Sequence, residues 1–321
     1  MSILYLTEKD VRDLLPMPEC IELMQTAFTR LASGEAVNQP RRRLILPTGS
    51  VLHYMAAGDG EYFGAKVYST NPRYGAHFLF LLYRAVDAQP LALVEASHLG
   101  QIRTGAASGL ATKFLAREDA RTLAIIGSGF QARTQLEAML AVRKIAEVRV
   151  WSRDPAERTA FAEETTAGTG LPVHAIETAE QAVRGAQIVV TATFAKEPVL
   201  AAEWIAPGAH INAMGSNQAN RREIPAELVR QADWIVVDSI EQARLESGDL
   251  LMALDDKDWS SPRIVELKDI VSGRTQTRTG PEQITLFKSN GLAVEDVIAA
   301  GFVYQRALAA GRGSPVAAGH S

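Results

Sequence analysis

The chain has 321 residues, a formal net charge of −4, 47% hydrophobic and 22% charged residues, and a pI near 5.9. That length suits two domains with sizeable cores, the hydrophobic content excludes a disordered chain, and the acidic balance excludes a dedicated nucleic-acid binder. Cys20 is the only cysteine, which rules out an internal disulfide and cysteine-based zinc or iron–sulfur sites and fits a reducing compartment.

The N-terminal MSILYLTEKDV places Glu8, Lys9 and Asp10 directly behind a short apolar run, a pattern of neither a signal peptide nor a membrane span. HFLFLLY is too short to cross a bilayer, so a soluble cytoplasmic protein with no membrane partner is expected. Thr7 is suited to cap a helix, and Ile21, Met24, Ala27, Phe28 and Leu31 recur at helical spacing, which predicts helix from Thr7 to Ser33. The texture then changes. RLILP, VLHYMAA, YFGAKVYST, HFLFLLYRAV and PLALVEA are short strands split by Gly, Pro and Asn, the pattern of an antiparallel sheet. An Ala- and Gly-rich helix is predicted from about Thr104 to Leu115.

This block carries unusual charge. Arg41, Arg42 and Arg43 follow Gln39-Pro40, Lys66 interrupts the apolar strand GAKVY, and Arg103 opens the Ala-rich helix. A lysine in a buried strand needs compensation. It can pair with a structural acid such as Glu95, extend its ammonium to water, or face an anionic ligand together with arginines.

From Arg121 onward strands and helices alternate: LAIIG, VRVWS, IVVTAT, HINAM and WIVVD predict a parallel, doubly wound sheet. The first strand runs into Gly127-Ser128-Gly129-Phe130-Gln131-Ala132, a G-x-G-x-x-A pattern followed by helix. Gly127 permits the tight turn, Gly129 lets the backbone approach a pyrophosphate, and Ala132 lets the helix pack on the strand. The next strand ends in Ser152 and Arg153, where an NAD-binding chain usually has an acid. A hydroxyl and a guanidinium suit a 2′-phosphate, so NADP(H) is preferred over NAD(H), with Asp154 as the competing feature one residue on. SGRTQTRTGPEQ is a predicted loop, Ala293 to Gly311 a predicted helix, and the C-terminal Gly, Ser and Pro residues are expected to fray. The histidines show no metal-ligand spacing, and no metal site is expected.

The chain resembles the ornithine cyclodeaminase/μ-crystallin family over essentially its whole length. The likeness is carried by QPRRR (39–43), GAKVYSTNP (64–72), QIRTGAASGLATKFLA (101–116), IIGSGFQA (125–132), INAMGSN (211–217) and ITLFKSNGLAVED (284–296). The resemblance implies an α/β homodimer: a Rossmann-type doubly wound parallel sheet (residues 118–292) inserted in an α+β antiparallel-sheet substrate and dimerisation domain (1–117 plus 293–321). It implies that Arg42 and Arg103 grip a substrate carboxylate beside Lys66. Thr191, Ala192, Thr193, Met214 and Gly215 would line the cofactor, Ser289, Asn290 and Gly291 would close over the nicotinamide, and Met55 would line the substrate pocket.

Two departures bear on activity. Asn217 stands where the ornithine cyclodeaminases have a catalytic aspartate, and an amide does not transfer protons in the working range. His53 stands where they hold the substrate's far amine with a glutamate. The cyclodeamination is therefore least expected. What remains fits NADPH-dependent reduction of a small, cyclic α-imino acid, with His53 as a candidate proton donor and His98 a weaker one. An alanine-type dehydrogenase or a non-catalytic binding protein are the alternatives.

Overall fold

The computed structural model describes residues 2–317. The chain divides into two compact units, Met1–Arg103 with Gly291–Ser321, and Thr104–Asn290.

The first unit opens with β1 (Ser2–Leu6), α1 (Glu8–Leu14) and α2 (Met17–Ser33). It continues through β2 (Val37–Asn38), β3 (Arg42–Ile45), β4 (Val51–Gly58), β5 (Tyr62–Asn71), β6 (Gly75–Arg84) and β7 (Pro90–Glu95). Then α3 (Ser97–Leu115) carries the chain into the second unit. That unit comprises β8 (Thr122–Ile126), α4 (Phe130–Val142), β9 (Glu147–Trp151), α5 (Pro155–Thr169), β10 (Val173–Ala175), α6 (Ala179–Val183), β11 (Ile188–Thr191) and β12 (His210–Ala213). It is completed by α7 (Ala226–Gln231), β13 (Trp234–Val237), α8 (Ile240–Glu246), α9 (Gly248–Leu251), β14 (Ile264–Glu266), α10 (Leu267–Val271) and β15 (Thr285–Lys288). Finally α11 (Ala293–Ala309) and β16 (Ser314–Ala317) rejoin the first unit.

In the first unit eight strands form one sheet in the order β16-β1-β7-β6-β5-β4-β2, with β3 also on β4. All pairs are antiparallel except β1 with β7. The period of two along each strand gives the sheet two faces. Met55, Lys66, Phe80 and Val94 are in register on the buried face, flanked by His53, Tyr68 and Phe78. α11 packs on β4 and β5 and against α2, covering the buried face.

The predicted helix from Thr7 to Ser33 is two helices. Thr7 and Asp10 form the capping box of α1, but Pro16 ends it and caps α2. The third helix begins at Ser97 rather than Thr104, because Glu8 accepts from the Ser97 and His98 N–H groups, each at 2.7 Å. That cap comes from another element and leaves no local signal. The expected fraying of the C-terminus does not hold for Ser314–Ala317, which pair with Ser2–Tyr5. Residues 318–321 lie outside the described range.

In the second unit every strand pair is parallel, in the order β10-β9-β8-β11-β12-β15-β13-β14. This is the doubly wound sheet expected from the sequence. Strand order reverses between β8 and β11, the place where such sheets open a crevice at their carboxyl edge. Ile126, Val189, Ile211, Ile235 and Leu286 are fully buried in its core. Among the described residues no helix is long and apolar enough to cross a membrane.

Candidate functional site

A charged cluster is buried in the first unit. Lys66 reaches from β5, Arg103 from α3, and Glu295 and Asp296 from the first turn of α11. Lys66 Nζ lies 2.9 Å from Asp296 Oδ1, Arg103 Nη1 lies 2.8 Å from Glu295 Oε2, and Arg103 Nε lies 3.3 Å from Asp296 Oδ1. Two glycines make room for the cations: a Cβ on Gly100 would fall 2.5 Å from Lys66 Nζ, and one on Gly291 2.4 Å from Arg103 Nη1. The structural acid for Lys66 is thus Asp296. Glu95, the acid proposed from the sequence, instead accepts from the Tyr5 hydroxyl and the Glu8 N–H.

The arginine assignment also changes. Arg42 is exposed and pairs with Tyr54 in β4 on the outward face. Arg41 is buried, and its Nη2 lies 3.4 Å from the Gly291 carbonyl and 3.7 Å from Met55 Sδ. Met55 is the cross-strand partner of Lys66, so Arg41 is the third cation of this cluster. Side chains of an RRR run alternate faces, so the structure brings Arg41, and not the Arg42 expected from the motif, to the buried cluster.

Burial pushes the Lys66 ammonium down to about 8, Asp296 pulling it up and Arg103 pushing it further down. Burial opposes the charge of Arg103 too, but Asp296 and Glu295 outweigh it and raise its pKa. Burial also works against ionisation of Asp296, yet Arg103 and Lys66 hold it below the usual carboxylate range. His53 is brought to the same face, stacked on Tyr68 at 4.3 Å and 2.9 Å from Thr70 Oγ1. Burial, with Arg43 and Arg41 nearby, pushes it down to about 4. A neutral imidazole keeps one ring N–H but lacks the more acidic imidazolium proton near pH 7, which weighs against the donor role expected for His53. His98 is lowered as well, by burial, and is tied to Gln101. Three cations, Lys66, Arg103 and Arg41, are thus gathered with two carboxylates, Glu295 and Asp296. Guanidinium forks beside an ammonium are the donor types that grip a carboxylate.

The second unit presents the glycine turn at the switch point. Gly127 has φ +113, and a Cβ there would lie 2.5 Å from the Ala192 carbonyl. A Cβ on Gly129 would meet nothing within 4 Å. Gly129 caps α4 with no side-chain bond to the first turn, at the positive end of the helix. A pyrophosphate fits there. Ala132 is fully buried against the strand, Gln131 is half-buried and Phe130 exposed. Ser128 is hydrogen-bonded to Ser152 at 2.9 Å, Arg153 is exposed, and Arg158 donates to the Ser152 carbonyl. Asp154 is spent on capping α5, accepting from the Ala156 and Glu157 N–H groups.

At the other strand ends the expected lining residues divide. Ala192, Thr193 and Gly215 are half-buried, and Met214 accepts from the Ser108 hydroxyl. Thr191 has no exposed surface and its hydroxyl donates to Glu223, so it supports the strand end from beneath instead of lining a ligand. Ser289 and Asn290 are bonded to Asp238. Asn217 is half-buried in the loop after β12, in the unit that does not contain Lys66. Arg41, Asp296, Glu295, Glu223 and Asp238 were missed from the sequence. Only GLAVED, with two acids opening a helix, carried a local hint.

The model of the ornithine cyclodeaminase/mu-crystallin family matches residues 2–311. The chain is 36% identical to the Delta(1)-pyrroline-2-carboxylate reductase of Bacillus cereus, over 98% of this chain and 99% of that one. The structure of the Thermococcus litoralis Delta(1)-pyrroline-2-carboxylate reductase in complex with NADH and L-proline is similar with a TM-score of 0.93 at 37% identity, covering 98% and 100%. An archaeal alanine dehydrogenase dimer with bound NAD is similar with a TM-score of 0.91 at 31% identity, covering 99% of each.

Proposed function

We propose that this chain, which belongs to the ornithine cyclodeaminase/mu-crystallin family, is an NAD(P)H-dependent oxidoreductase that reduces small, cyclic α-imino acids to amino acids. The observation that carries this reading is the buried gathering of two guanidinium groups and an ammonium, Arg103, Arg41 and Lys66, around Met55 and the first turn of α11. Reductases of pyrroline-2-carboxylate are among its relatives, and their substrate is an imine bearing one carboxylate.

In this reading Arg103 and Arg41 hold the substrate carboxylate, and Asp296 and Glu295 hold the arginine and lysine in place. Lys66 fixes the same carboxylate and supplies a proton to the imine nitrogen when the imine arrives neutral; its pKa of about 8 suits that exchange. His53 and Met55 shape the wall around the ring. The glycine turn and the α4 N-terminus hold the pyrophosphate. When bound, the reduced nicotinamide supplies the hydride for the C=N carbon. Asn217 and His53 stand where the cyclodeamination calls for carboxylates, which argues against ammonia-eliminating cyclisation.

NADPH is the preferred cofactor in this reading. Ser152 and Arg153 directly follow β9, Arg158 stands behind them, and Asp154 is engaged through Oδ1 in capping α5. The active form is a homodimer, built on an apolar outward sheet face described in the Discussion. A single, buried Cys20 fits the reducing cytoplasm.

The test is consumption of NADPH and NADH with pyrroline- and piperideine-2-carboxylate, and with pyruvate plus ammonia. Turnover of the cyclic imines is expected. Turnover confined to pyruvate plus ammonia would replace this reading with an alanine-type dehydrogenase. Arg153→Ala is expected to weaken NADPH far more than NADH, and an equal effect on both would remove the NADPH preference.

A further inference from the structure

The carboxyl edge of the parallel sheet rests on a buried polar network with no part in the chemistry outlined above. Glu223, with no exposed surface, lies in the loop between β12 and α7. Its Oε1 accepts from the Thr193 N–H at 2.6 Å and the Thr193 hydroxyl at 2.7 Å. Its Oε2 accepts from the Thr191 hydroxyl at 2.8 Å and the Gly215 N–H at 2.6 Å. One carboxylate therefore ties the end of β11 to the end of β12. Gly215 is what allows this approach, since a Cβ there would fall 2.4 Å from Oε1.

Glu223 is itself held. Asp249 Oδ1 accepts from the Glu223 N–H at 2.6 Å and the Ile224 N–H at 3.1 Å. Lys288, the last residue of β15, pairs with Asp249 Oδ2 at 3.0 Å and donates to the Ser216 carbonyl. Burial and Asp249 push the Glu223 carboxyl up, while Lys288 and the Thr193 bonds oppose them. Burying an acid here is costly, and a plain loop closure would not require one. What the site does require is four acceptor positions on two oxygens, two of them opposite backbone N–H groups that cannot rotate.

In a doubly wound sheet the two halves of a dinucleotide lie on either side of the switch point. Here the glycine turn and Ser152–Arg153 belong to the β8-β9-β10 side, and β11 and β12 to the other. We propose that Glu223 is a positioning residue for the nicotinamide half of the cofactor, its carboxylate fixing the loop after β11 against the loop after β12. The inference rests on the reading that this unit binds NAD(P)H. A displaced strand end would misplace the reacting ring, and misplacements of about 1 Å cost on the order of 100-fold in rate.

Glu223→Gln tests it. Whichever way its amide turns, an N–H₂ faces the fixed N–H of Thr193 or of Gly215. NADPH affinity is expected to fall about tenfold, the cost of one orphaned buried donor, with a drop in kcat. ADP-ribose 2′-phosphate, which lacks the nicotinamide, is expected to bind as well as to the wild type. Thr191→Val removes a single hydroxyl donor, keeps the shape, and should shift NADPH affinity the same way by less; it decides the matter if Glu223→Gln does not fold. Unchanged NADPH affinity and kcat would overturn the proposal, and so would equal weakening of both ligands, which marks general damage. A wild-type chain that binds neither NADPH nor NADH would instead remove the cofactor reading itself.

Discussion

Neighbouring residues at the start of β3 have opposite surroundings in this protein. Arg41 enters a buried cluster with Lys66, Arg103, Glu295 and Asp296, whereas Arg42 stands on the outer face beside Tyr54. Arg41→Lys replaces a planar fork by a point charge and is expected to lower kcat/KM for the imine roughly 10- to 100-fold. Arg42→Ala, outside the buried cluster, is expected to change it far less, by no more than about twofold while the protein keeps its oligomeric state. Steady-state kinetics of the two variants separates them, and the reverse ranking would restore the assignment made from the motif. The pH dependence follows from Lys66. Its folded pKa, about 8, is depressed, so the ammonium prevails below that pH and is lost above it. kcat/KM is expected to fall as pH rises through about 8. Asp296 raises the Lys66 pKa, so in Asp296→Asn the descending limb should move to lower pH with the same substrate. His53, already neutral, should contribute no limb between pH 5 and 8.

The strand–turn–helix from β8 to α4 shows how one element separates folding from binding. Gly127 needs its positive φ and has the Ala192 carbonyl 2.5 Å from where a Cβ would sit, backbone against backbone. Gly129 has an ordinary φ of −80 and open space beside it. Gly127→Ala is therefore expected to lower both the melting temperature and NADPH affinity. Gly129→Ala should leave the melting temperature within about 2 °C, as for a substitution that touches nothing, and weaken NADPH by filling the space the pyrophosphate needs. Thermal scans beside fluorescence titration check the pair. A Gly129→Ala protein that binds NADPH normally would exclude this turn as the phosphate site.

For the molecule as a whole, the outward face of the antiparallel sheet is the feature that calls for a partner. Tyr54, Val67 and Leu79 are in register across β4, β5 and β6, Phe63 stacks on Tyr83, and Leu44, paired with Leu52, extends the face along β3. Tyr54, Phe63, Leu79, Leu44 and Leu52 are all exposed in the single chain. Contiguous apolar surface of this kind marks an interface. A homodimer is expected by sedimentation equilibrium, and Leu79→Glu is expected to shift it toward monomer. A monomeric wild type would leave this face without its proposed role.

Much of this was legible along the chain because it depends on local rules. The G-x-G-x-x-A turn between strand and helix, the alternating βα order of the second unit and the strand run of the first are set by backbone preference and hydrophobic period over a few residues. The fold class followed from them. The partners of Lys66 did not, because Asp296 lies 230 residues further along and only folding brings the two to 2.9 Å. The choice between Arg41 and Arg42 hung on the registry of β3 against β4, and the start of α3 on a cap supplied by Glu8. Glu223 gave no sign of its place beneath two strand ends. Long-range charge pairing and burial are properties of three-dimensional proximity, and no stretch of sequence encodes them by itself.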